Sequence, residues 1–467
     1  MKSQNYFPPL RRGCRAGYMP LPPCGDKQHS RLHKHMSDRA LERTAIFTVE
    51  SSAAKGKIVN DPVYGFIRIP AGLIFELTEH PYVQRLRRIR QLGLTGFVYP
   101  GANHTRFQHA LGALHLMSQA IQSIRSKGTP VSPAEEEAVS AAILLHDIGH
   151  GPFSHALENS LMEGISHENL SILLMEKLNR DLDNRLKTAL RIFRNRYPKK
   201  FLFQLVSGQL DMDRMDYLRR DSFFTGVTEG TIGSDRIIKM LNVVNDQLVV
   251  EIKGIYSIEK FLIARRLMYW QVYFHKTVIV AEQLLLKLLQ RVRELSNRGI
   301  TVFATPALDF FIREKIQKED VCPWAGSEYQ LEIIKHFTEL DDNDLLASAK
   351  VWQHHPDPVL SELSRRLITR KLFAIEMQPG PFEGEKIETL LKKAGRQWDL
   401  NRNDSRYLVF TGSISNHAYS AHDEQIKILL KNGKTADVTA VSEMLGTDVL
   451  SKRVRKYYLC YPKEIRT

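Results

Sequence analysis

The stretch that most constrains this chain is the run 143–155, Ile-Leu-Leu-His-Asp-Ile-Gly-His-Gly-Pro-Phe-Ser-His. An apolar segment leads into the pair His146 and Asp147, and two glycines and a proline then end the helix. We expect the resulting loop to turn His150 and His155 towards the same space. Three imidazoles and one carboxylate within ten residues are typical of metal ligands and catalysts rather than of a hydrophobic core.

A second His-Asp pair in the same chain shows why the surroundings matter. His422 and Asp423 lie in a polar stretch that has no flanking apolar run. With 17 histidines among 467 residues, a chance pair of this kind is expected. The surroundings of the pair at 146–147, rather than the dipeptide itself, therefore indicate function.

The charge balance indicates polyanionic partners. Apolar residues make up 43% of the chain and charged residues 25%, as in soluble globular proteins, and the formal net charge is +14. An excess of this size favours nucleotides, nucleic acid or acidic lipid surfaces.

Targeting signals and cysteine usage predict a cytoplasmic protein that does not enter a membrane. The chain has no run of about 18 apolar residues and no apolar signal-peptide core near its N-terminus. The cysteines are scattered without a Cys-x-x-Cys spacing, which argues against a zinc ribbon or a disulfide scaffold. They are Cys14, Cys24, Cys322 and Cys460.

Composition divides the chain into three segments. Residues 1–50 are basic and rich in Pro, Gly, Arg and Ser, and we interpret them as a disordered tail. This tail is either a solvated surface segment or an arm that binds nucleic acid, and a start at Met36 is an open alternative. Residues 51–300 form the predicted core, and residues 301–467 form a C-terminal lobe.

Hydrophobic spacing predicts a hairpin at 57–69 followed by an almost entirely helical core. The predicted helices are 81–92, 107–124, one that starts after Ser132, 167–178, 185–194, 201–221 and 257–298. Three later segments, 406–410, 426–430 and 456–461, have the composition of strands. The expected fold class is mainly α, with a smaller α/β C-terminal lobe.

A metal site on a helical scaffold needs ligands from several helices. His109 lies near the start of one predicted helix, and the pair at 146–147 ends another. The segment 211–221, in which four acids alternate with three arginines, is the best source of a further acid. An exposed helix with internal ion pairs is the alternative for that segment.

Six short motifs occur in a fixed order along the chain. They are Asn60-Asp61-Pro62, Gln91-Leu92-Gly93, Arg106-Phe107-x-His109, the His-Asp run, Asp213-x-x-Asp216-Tyr217-x-x-Arg220-Asp221 and Tyr273-x-His275-Lys276. Together they resemble the HD-domain deoxynucleoside triphosphate triphosphohydrolases (dNTPases), and they are similar to the catalytic core of the sterile-alpha-motif-linked enzyme. The resemblance covers about 56–280 and implies an HD-domain helical core, and we expect no sterile alpha motif before it.

The resemblance implies one divalent metal ion bound by His109, His146, Asp147 and Asp213. Two neutral imidazoles and two carboxylates leave coordination positions for substrate phosphate and water. This ligand set accepts Fe, Mn, Zn, Ni or Mg, so the identity of the metal stays open. Without the joint pattern, a capping or packed histidine would be the alternative for His109.

The resemblance also places five residues around the reacting phosphate. Arg106 would clamp a phosphate oxygen, and His150, His155 and His167 would surround the α-phosphate as cations or proton carriers. Glu158 stands where the family has an aspartate that pairs with the histidine matching His155. Its side chain is one methylene longer, so its part in a proton relay needs a different geometry.

Nine further positions match residues that bind the substrate in the family. Gln91, Leu92, Tyr217, Asp221 and Tyr273 would hold the deoxyribose, Arg265 and Lys276 the outer phosphates, His275 the base or sugar, and Arg214 replaces a lysine beside the last metal ligand. A tyrosine packed against C2′ would select against ribose. For the segment 257–276, a basic edge on a long helix is the alternative.

Regulated members of the family bind activating nucleotides at subunit interfaces. The matching positions here are Lys57, Glu79, Gln84, Arg87 and Arg370, whereas Ala374 stands where a basic residue is expected. The resemblance thus implies a homo-oligomer, dimer or tetramer, with one pocket for GTP or a dNTP rather than two. Surface salt bridging is the alternative for these residues.

The implied activity is metal-dependent hydrolysis of dNTPs to deoxynucleoside and inorganic triphosphate. One alternative is another HD-type phosphohydrolase, such as a nucleotidase, a phosphodiesterase or a nuclease. The other is a nucleic-acid-binding protein whose HD site is regulatory, and weak nucleic-acid binding would also fit the basic charge.

Overall fold

The computed structural model describes residues 56–153, 160, 162, 164–416, 425–444 and 454–466. The predicted tail 1–50, the catalytic candidates His155 and Glu158, and the control pair 422–423 lie outside the described residues. In the part that is described, no helix is long and apolar enough to cross a membrane.

A hairpin opens the described chain, as predicted. β1 (Lys57–Asp61) pairs antiparallel with β2 (Gly65–Ile69). Asp61 holds the turn, because its Oδ1 accepts the backbone N–H groups of Val63 and Tyr64, each at 3.0 Å. The turn uses only Oδ1, so the second carboxylate oxygen is left for a partner from elsewhere in the chain. Asp61 is itself buried.

Helices dominate the rest of the chain up to about residue 370. They are α1 (Leu73–Glu79), α2 (Pro81–Gln84), α3 (Arg106–Ser126), α4 (Pro133–Leu145), α5 (His167–Asp181), α6 (Lys187–Phe193), α7 (Lys200–Val206), α8 (Met212–Thr225), α9 (Ser234–Met240), α10 (Ile255–Met268), α11 (Lys276–Asn297), α12 (Pro306–Arg313), α13 (Lys318–Val321), α14 (Glu328–Glu339), α15 (Asp342–Trp352) and α16 (Pro358–Ile368). Short 3-10 helices lie at Arg85–Arg88, Gly93–Phe97, Thr228–Gly230 and Ile252–Gly254, and a π turn at Tyr269–Tyr273.

Side-chain caps set where the central helices begin. Thr105 and Gln108 form a reciprocal capping box at the start of α3. Ser132 and Glu135 do the same for α4, which confirms the predicted N-cap. Helix α4 ends at Leu145, so the His-Asp pair lies at its C-terminus, where the chain is free to turn.

The predicted helix 81–92 is wrong beyond its first two turns. After α2 and the 3-10 turn, Ile89 is extended, with φ −117° and ψ 119°. Backbone hydrogen bonds to a distant segment replace the helical ones, because Gln91 donates to the carbonyl of His104 at 3.0 Å and Arg106 donates to that of Ile89 at 2.9 Å. Gln91 and Leu92 therefore leave the helix.

Two long predicted helices, 201–221 and 257–298, are each divided in the structure. Asp211 caps α8 by accepting the backbone N–H of Arg214 at 2.7 Å, so a break separates α7 from α8. Likewise the π turn ends before α11, which His275 caps through the N–H of Thr277 at 3.2 Å. Hydrophobic spacing did not reveal these breaks, since it continues across them.

In the part of the chain that is described, two further small sheets and three further helices complete the fold. β3 (Leu241–Val244), β4 (Gln247–Glu251), β7 (Lys427–Leu429) and β8 (Thr435–Asp437) form one sheet, and β5 (Ala374–Gln378), β9 (Val454–Tyr461) and β6 (Phe410–Asn416) the other. The helices are α17 (Gly384–Trp398), α18 (Arg402–Ser405) and α19 (Val438–Val441), and a 3-10 turn follows at Lys463–Ile465. The strands predicted at 426–430 and 456–461 are confirmed. The strand predicted at 406–410 is wrong except for its last residue, since the chain turns after α18 and pairs only from Phe410.

One continuous hydrophobic core joins most of these elements, from Ile67 in the hairpin to Cys460 in β9. A smaller cluster lies between α17 and the second sheet, where Leu390 and Leu391 pack with Val409 and Leu459. The expected fold class, mainly α with a smaller α/β lobe, is confirmed.

Candidate metal centre and substrate cavity

Three helices bring the predicted metal ligands together. His109 lies on α3, His146 at the end of α4 and Asp213 in the first turn of α8, and one donor atom from each lies within 4.8 Å of the others. The Nε2 atoms of the two histidines are 3.3 Å apart, and Asp213 Oδ1 is 3.2 Å from His109 Nε2. Asp147 joins them, with Oδ1 3.3 Å from His146 Nε2. His109, His146 and Asp213 therefore form one cluster, and Asp147 lies beside it.

Hydrogen bonds on the far side of each imidazole aim its Nε2 at that volume. His146 Nδ1 lies 2.6 Å from the carbonyl oxygen of Ile143, and His109 Nδ1 lies 2.7 Å from Asp216 Oδ2. Partners of this kind orient metal-binding histidines and set the tautomer. The donor set of imidazole nitrogens and carboxylate oxygens fits a divalent transition metal or Mg²⁺.

A buried ion network supports His109 from behind. Arg220 donates through Nε to Asp216 Oδ2 at 2.9 Å and through Nη1 to Asp61 Oδ2 at 2.7 Å. Asp216 and Arg220 are fully buried. The alternative of an exposed charged helix is thus wrong for this face of α8. Asp216 and Arg220 were missed as site residues, although their spacing from Asp213 places all three along one side of a helix.

Burial and neighbouring charges shift the pKa values of the cluster residues. Burial lowers the pKa of His109, but hydrogen bonds to Asp213 and Asp216 outweigh burial and raise that pKa to about 10. Burial would raise the pKa of Asp147, but His146 and Arg106 hold it well below its ordinary value. Arg106 Nη1 lies 2.5 Å from Asp147 Oδ2. A divalent cation would take the place of the proton shared by these imidazoles and carboxylates.

Two catalytic histidine candidates stack beside the cluster. The rings of His150 and His167 are 3.9 Å apart with an interplanar angle of 14°. His150 Nε2 lies 3.3 Å from Asp147 Oδ1. Burial, together with nearby Arg106, lowers the pKa of His150 well below its ordinary value. The roles predicted for His150 and His167, as cations or proton carriers, stay predictions.

A cavity of about 460 Å³ opens at this cluster. Two predicted metal ligands, Asp147 and Asp213, and three predicted catalytic residues, Arg106, His150 and His167, line it. So do most of the residues predicted to bind substrate: Gln91, Leu92, Arg214, Tyr217, Asp221, Arg265 and Tyr273. Its volume suits a small organic ligand. The lining residues that the sequence reasoning missed are Gly93, Thr95, Phe153, Tyr269, Phe274 and Glu282.

The predicted sugar pocket has its own hydrogen-bonded chain. The hydroxyl of Tyr273 donates to Asp221 Oδ2 at 2.7 Å, and His104 Nε2 lies 2.7 Å from Asp221 Oδ1. His104 stacks on Phe224, with 4.5 Å between ring centroids. Tyr217 meets Tyr273 edge-on at 6.1 Å. His104 was missed, and only its position just before the Arg-Phe-x-His motif could have indicated it.

Two predicted substrate residues lie outside the cavity lining. His275 caps α11 and contacts Tyr99 edge-on at 6.0 Å, and Lys276 is exposed. Their roles towards base and phosphate stay predictions. Arg265 lines the cavity and donates to Gln209 at 3.0 Å.

The residues predicted to bind an activating nucleotide make surface contacts in this structure. Lys57 pairs with Glu79 at 3.0 Å, and Arg87 donates to Gln84 at 2.7 Å. Arg370 donates to the carbonyl of Phe97 at 2.9 Å. Of these contacts, the one between Lys57 and Glu79 is a salt bridge of the kind that the alternative describes, and the nucleotide role stays a prediction.

Sequence families match the same regions as the site. Residues 106–221 match the HD domain, and residues 232–305 match the HD associated region. The uncharacterized protein YwfO of Bacillus subtilis is 32% identical over 427 residues, which cover 88% of this chain and 93% of that protein. A deoxynucleoside triphosphate triphosphohydrolase SAMHD1 homolog of Dictyostelium discoideum is 31% identical over 48% of this chain and 47% of its own length.

Two solved structures are similar to this chain over most of its length. A phosphohydrolase from Bacteroides thetaiotaomicron shares 51% sequence identity and superimposes with a TM-score of 0.83, covering 87% of this chain and 100% of that one. A hypothetical protein from Aquifex aeolicus is 27% identical, with a TM-score of 0.66 and coverage of 88% and 98%. The chain belongs to the family of HD-domain phosphohydrolases.

Proposed function

We propose that this protein hydrolyses dNTPs to deoxynucleoside and inorganic triphosphate with one divalent metal ion. The observation that carries this proposal is one cavity that joins the four-residue ligand cluster to the hydrogen-bonded pair of Asp221 and Tyr273. A nucleotide in this cavity can place a phosphate at the cluster and its sugar at the tyrosine. The SAMHD1-type relatives, which are named as dNTP triphosphohydrolases, support the same substrate class.

The lining residues suit attack at the α-phosphorus. The bound metal would act as a Lewis acid on a phosphate oxygen. Arg106, Arg214 and Arg265 supply positive charge for the triphosphate. Water attacks the α-phosphorus, its oxygen forms the new bond to phosphorus, and the bond to the 5′ oxygen breaks. The proton that the water loses passes to the leaving 5′ oxygen, and His150 and His167 are the described candidates to carry it.

The sugar end of the cavity explains selection against ribose. Asp221 has both carboxylate oxygens engaged, one by Tyr273 and one by His104, at 2.7 Å each. A 2′-hydroxyl packed against this side would crowd the tyrosine ring and would compete with Tyr273 and His104 for the carboxylate. The site should therefore accept dNTPs and reject rNTPs.

Product analysis tests the proposal. Purified protein is incubated with each dNTP and each rNTP in Mn²⁺ or Mg²⁺, and the products are resolved. Deoxynucleoside plus inorganic triphosphate from dNTPs alone, lost in Asp147→Ala, is the expected result. Monophosphate, pyrophosphate or orthophosphate as product would indicate a different HD-type phosphohydrolase.

The similarity to the SAMHD1-type relatives also supports regulation by nucleotides in a homo-oligomer. Lys57, Glu79, Gln84, Arg87 and Arg370 would then exchange their present partners for GTP or a dNTP. Light scattering and dNTP turnover with and without GTP test this, with Arg87→Ala as the variant. Oligomer size and turnover that do not respond to any nucleotide would contradict it.

A further inference from the structure

Glu282 is the acid in the cavity that no other role accounts for. Among the described residues, four acids line the cavity: Asp147, Asp213, Asp221 and Glu282. The first two belong to the ligand cluster, and Asp221 is bound by Tyr273 and His104. Glu282 makes no hydrogen bond or ion pair with any described residue, and its side chain is open to the cavity.

Glu282 and the ligand cluster lie on different elements of the fold. The ligand cluster lies on α3, α4 and α8, whereas Glu282 lies on α11. Helix α11 packs against α12, α16, β5 and the 3-10 helix Gly93–Phe97. Gly93 and Thr95 of that 3-10 helix also line the cavity. Glu282 therefore belongs to a wall built from other elements than those that carry the ligands.

This wall is also aromatic. Tyr269 and Tyr273 from the π turn and Phe274, just before α11, line the cavity together with Glu282. The rings of Tyr269 and Phe274 are 5.6 Å apart and tilted. Aromatic side chains provide faces on which a base can stack, and a polar side chain beside them can read the edge of that base. A substrate with phosphates at the cluster presents its base as the remaining group for this wall.

The chemistry of a carboxylate favours one base. An ionised carboxylate accepts hydrogen bonds and cannot donate. Guanine offers two adjacent donors, N1–H and the N2 amino group, which can bind the two oxygens of one carboxylate. Adenine and cytosine place an acceptor beside their amino group, and thymine flanks its N3–H with two carbonyl oxygens. Guanine is thus the base that can offer two donors to Glu282 without placing one of its own acceptors against the carboxylate oxygens.

The electrostatics of Glu282 agree with a missing partner. Although water reaches the side chain in the cavity, the surrounding protein removes part of its hydration and raises its pKa to about 7. Two N–H donors from a ligand would stabilise the ionised form and lower that pKa.

We propose that Glu282 binds the nucleobase and makes dGTP the preferred substrate. This inference rests on the proposed function for the identity of the substrate class. It assigns to Glu282 a specificity role and leaves the metal and phosphate chemistry to the residues described above.

The test compares dGTP with dATP in wild type and in Glu282→Gln. We expect the wild type to prefer dGTP by about 10-fold in kcat/KM, the size of effect that one bidentate contact to a base provides. An amide offers one donor and one acceptor, which match adenine. The ratio should therefore fall to about one or reverse in the variant, while turnover of dATP persists.

Equilibrium binding separates failure of this inference from failure of the proposed function. The dissociation constants of dGTP and dATP are measured by calorimetry without added metal, with Glu339→Gln as an exposed control for the same substitution. Selective binding of dGTP that Glu282→Gln abolishes, without release of triphosphate, would overturn the proposed reaction and leave this inference standing. Equal binding of both nucleotides by wild type, no binding at all, or a preference that Glu282→Gln leaves unchanged would overturn it.

Discussion

Gly112→Ala is a substitution for which local and tertiary effects oppose each other. Gly112 lies in the middle of α3, where alanine is the better helix former by about 1 kcal/mol. On helix propensity alone, the variant would be more stable than wild type. The structure predicts the opposite result, because α8 crosses α3 at this residue.

The close approach of α8 determines the magnitude. A Cβ at position 112 would lie 1.9 Å from Asp216 Oδ1 and 2.3 Å from Arg220 Nη2. Neither side chain can move freely, since both belong to the buried network with Asp61 and His109. Overpacking costs about 1–3 kcal/mol, and a separated buried ion pair costs about 3–5 kcal/mol. Separation of the ion pair is the larger of these costs, so after subtraction of the propensity gain of about 1 kcal/mol we expect a net loss of about 2–4 kcal/mol.

Denaturant unfolding monitored by circular dichroism, in a chelating buffer, measures this loss. Gly384→Ala is the matched control, because Gly384 begins α17 and its Cβ would meet nothing within 4 Å. The control should unfold at the same denaturant concentration as wild type or a slightly higher one. A Gly112→Ala protein as stable as wild type would refute the argument that the contact of α3 with α8 is rigid.

Three further predictions follow from buried carboxylates. Asp216→Asn removes the charge behind His109, and we expect calorimetric titration with Mn²⁺ to show affinity lower by about 10–100-fold; unchanged affinity in a folded variant would contradict this. Burial raises the pKa of Glu135, but the hydrogen bond from Lys199 and its other partners outweigh burial and lower the pKa from 4.5 to about 2. The folded pKa is depressed, so its stabilisation is present above pH 4.5 and is lost as the pH falls towards 2. Wild type should thus lose about 2 kcal/mol more than Glu135→Gln between about pH 7 and about pH 3, and parallel pH profiles in urea unfolding would show that this carboxyl contributes nothing. Asp342→Ala leaves the buried backbone N–H of Phe153 and the partly buried N–H of Arg90 without their acceptor. We expect thermal unfolding to report a loss of about 2–4 kcal/mol, whereas an unchanged midpoint would mean that water replaces the carboxylate.

Local features of this protein could be predicted from its sequence because short-range interactions determine them. The cap at Ser132, the end of α4 at the His-Asp pair and the hairpin at 57–69 depend on hydrogen bonds and turns within a few residues. The metal-ligand candidates could be named for a different reason. Their motifs match a family, and the structure then brings His109 and His146 to 3.3 Å.

Other features depend on contacts between residues far apart in the chain. Hydrophobic spacing continued through 81–92, and only pairing with the segment around His104 shows that Gln91 leaves the helix. Arg220 was part of a motif without a role until α8 packed on α3 and Asp61 reached it across 159 residues. No sequence pattern indicated a role for Glu282, since a lone glutamate on an amphipathic helix is usually a solvated residue. The sequence by itself determined caps, turns and residue chemistry, whereas the packing of distant segments decided which charges are buried together and which of them line the cavity.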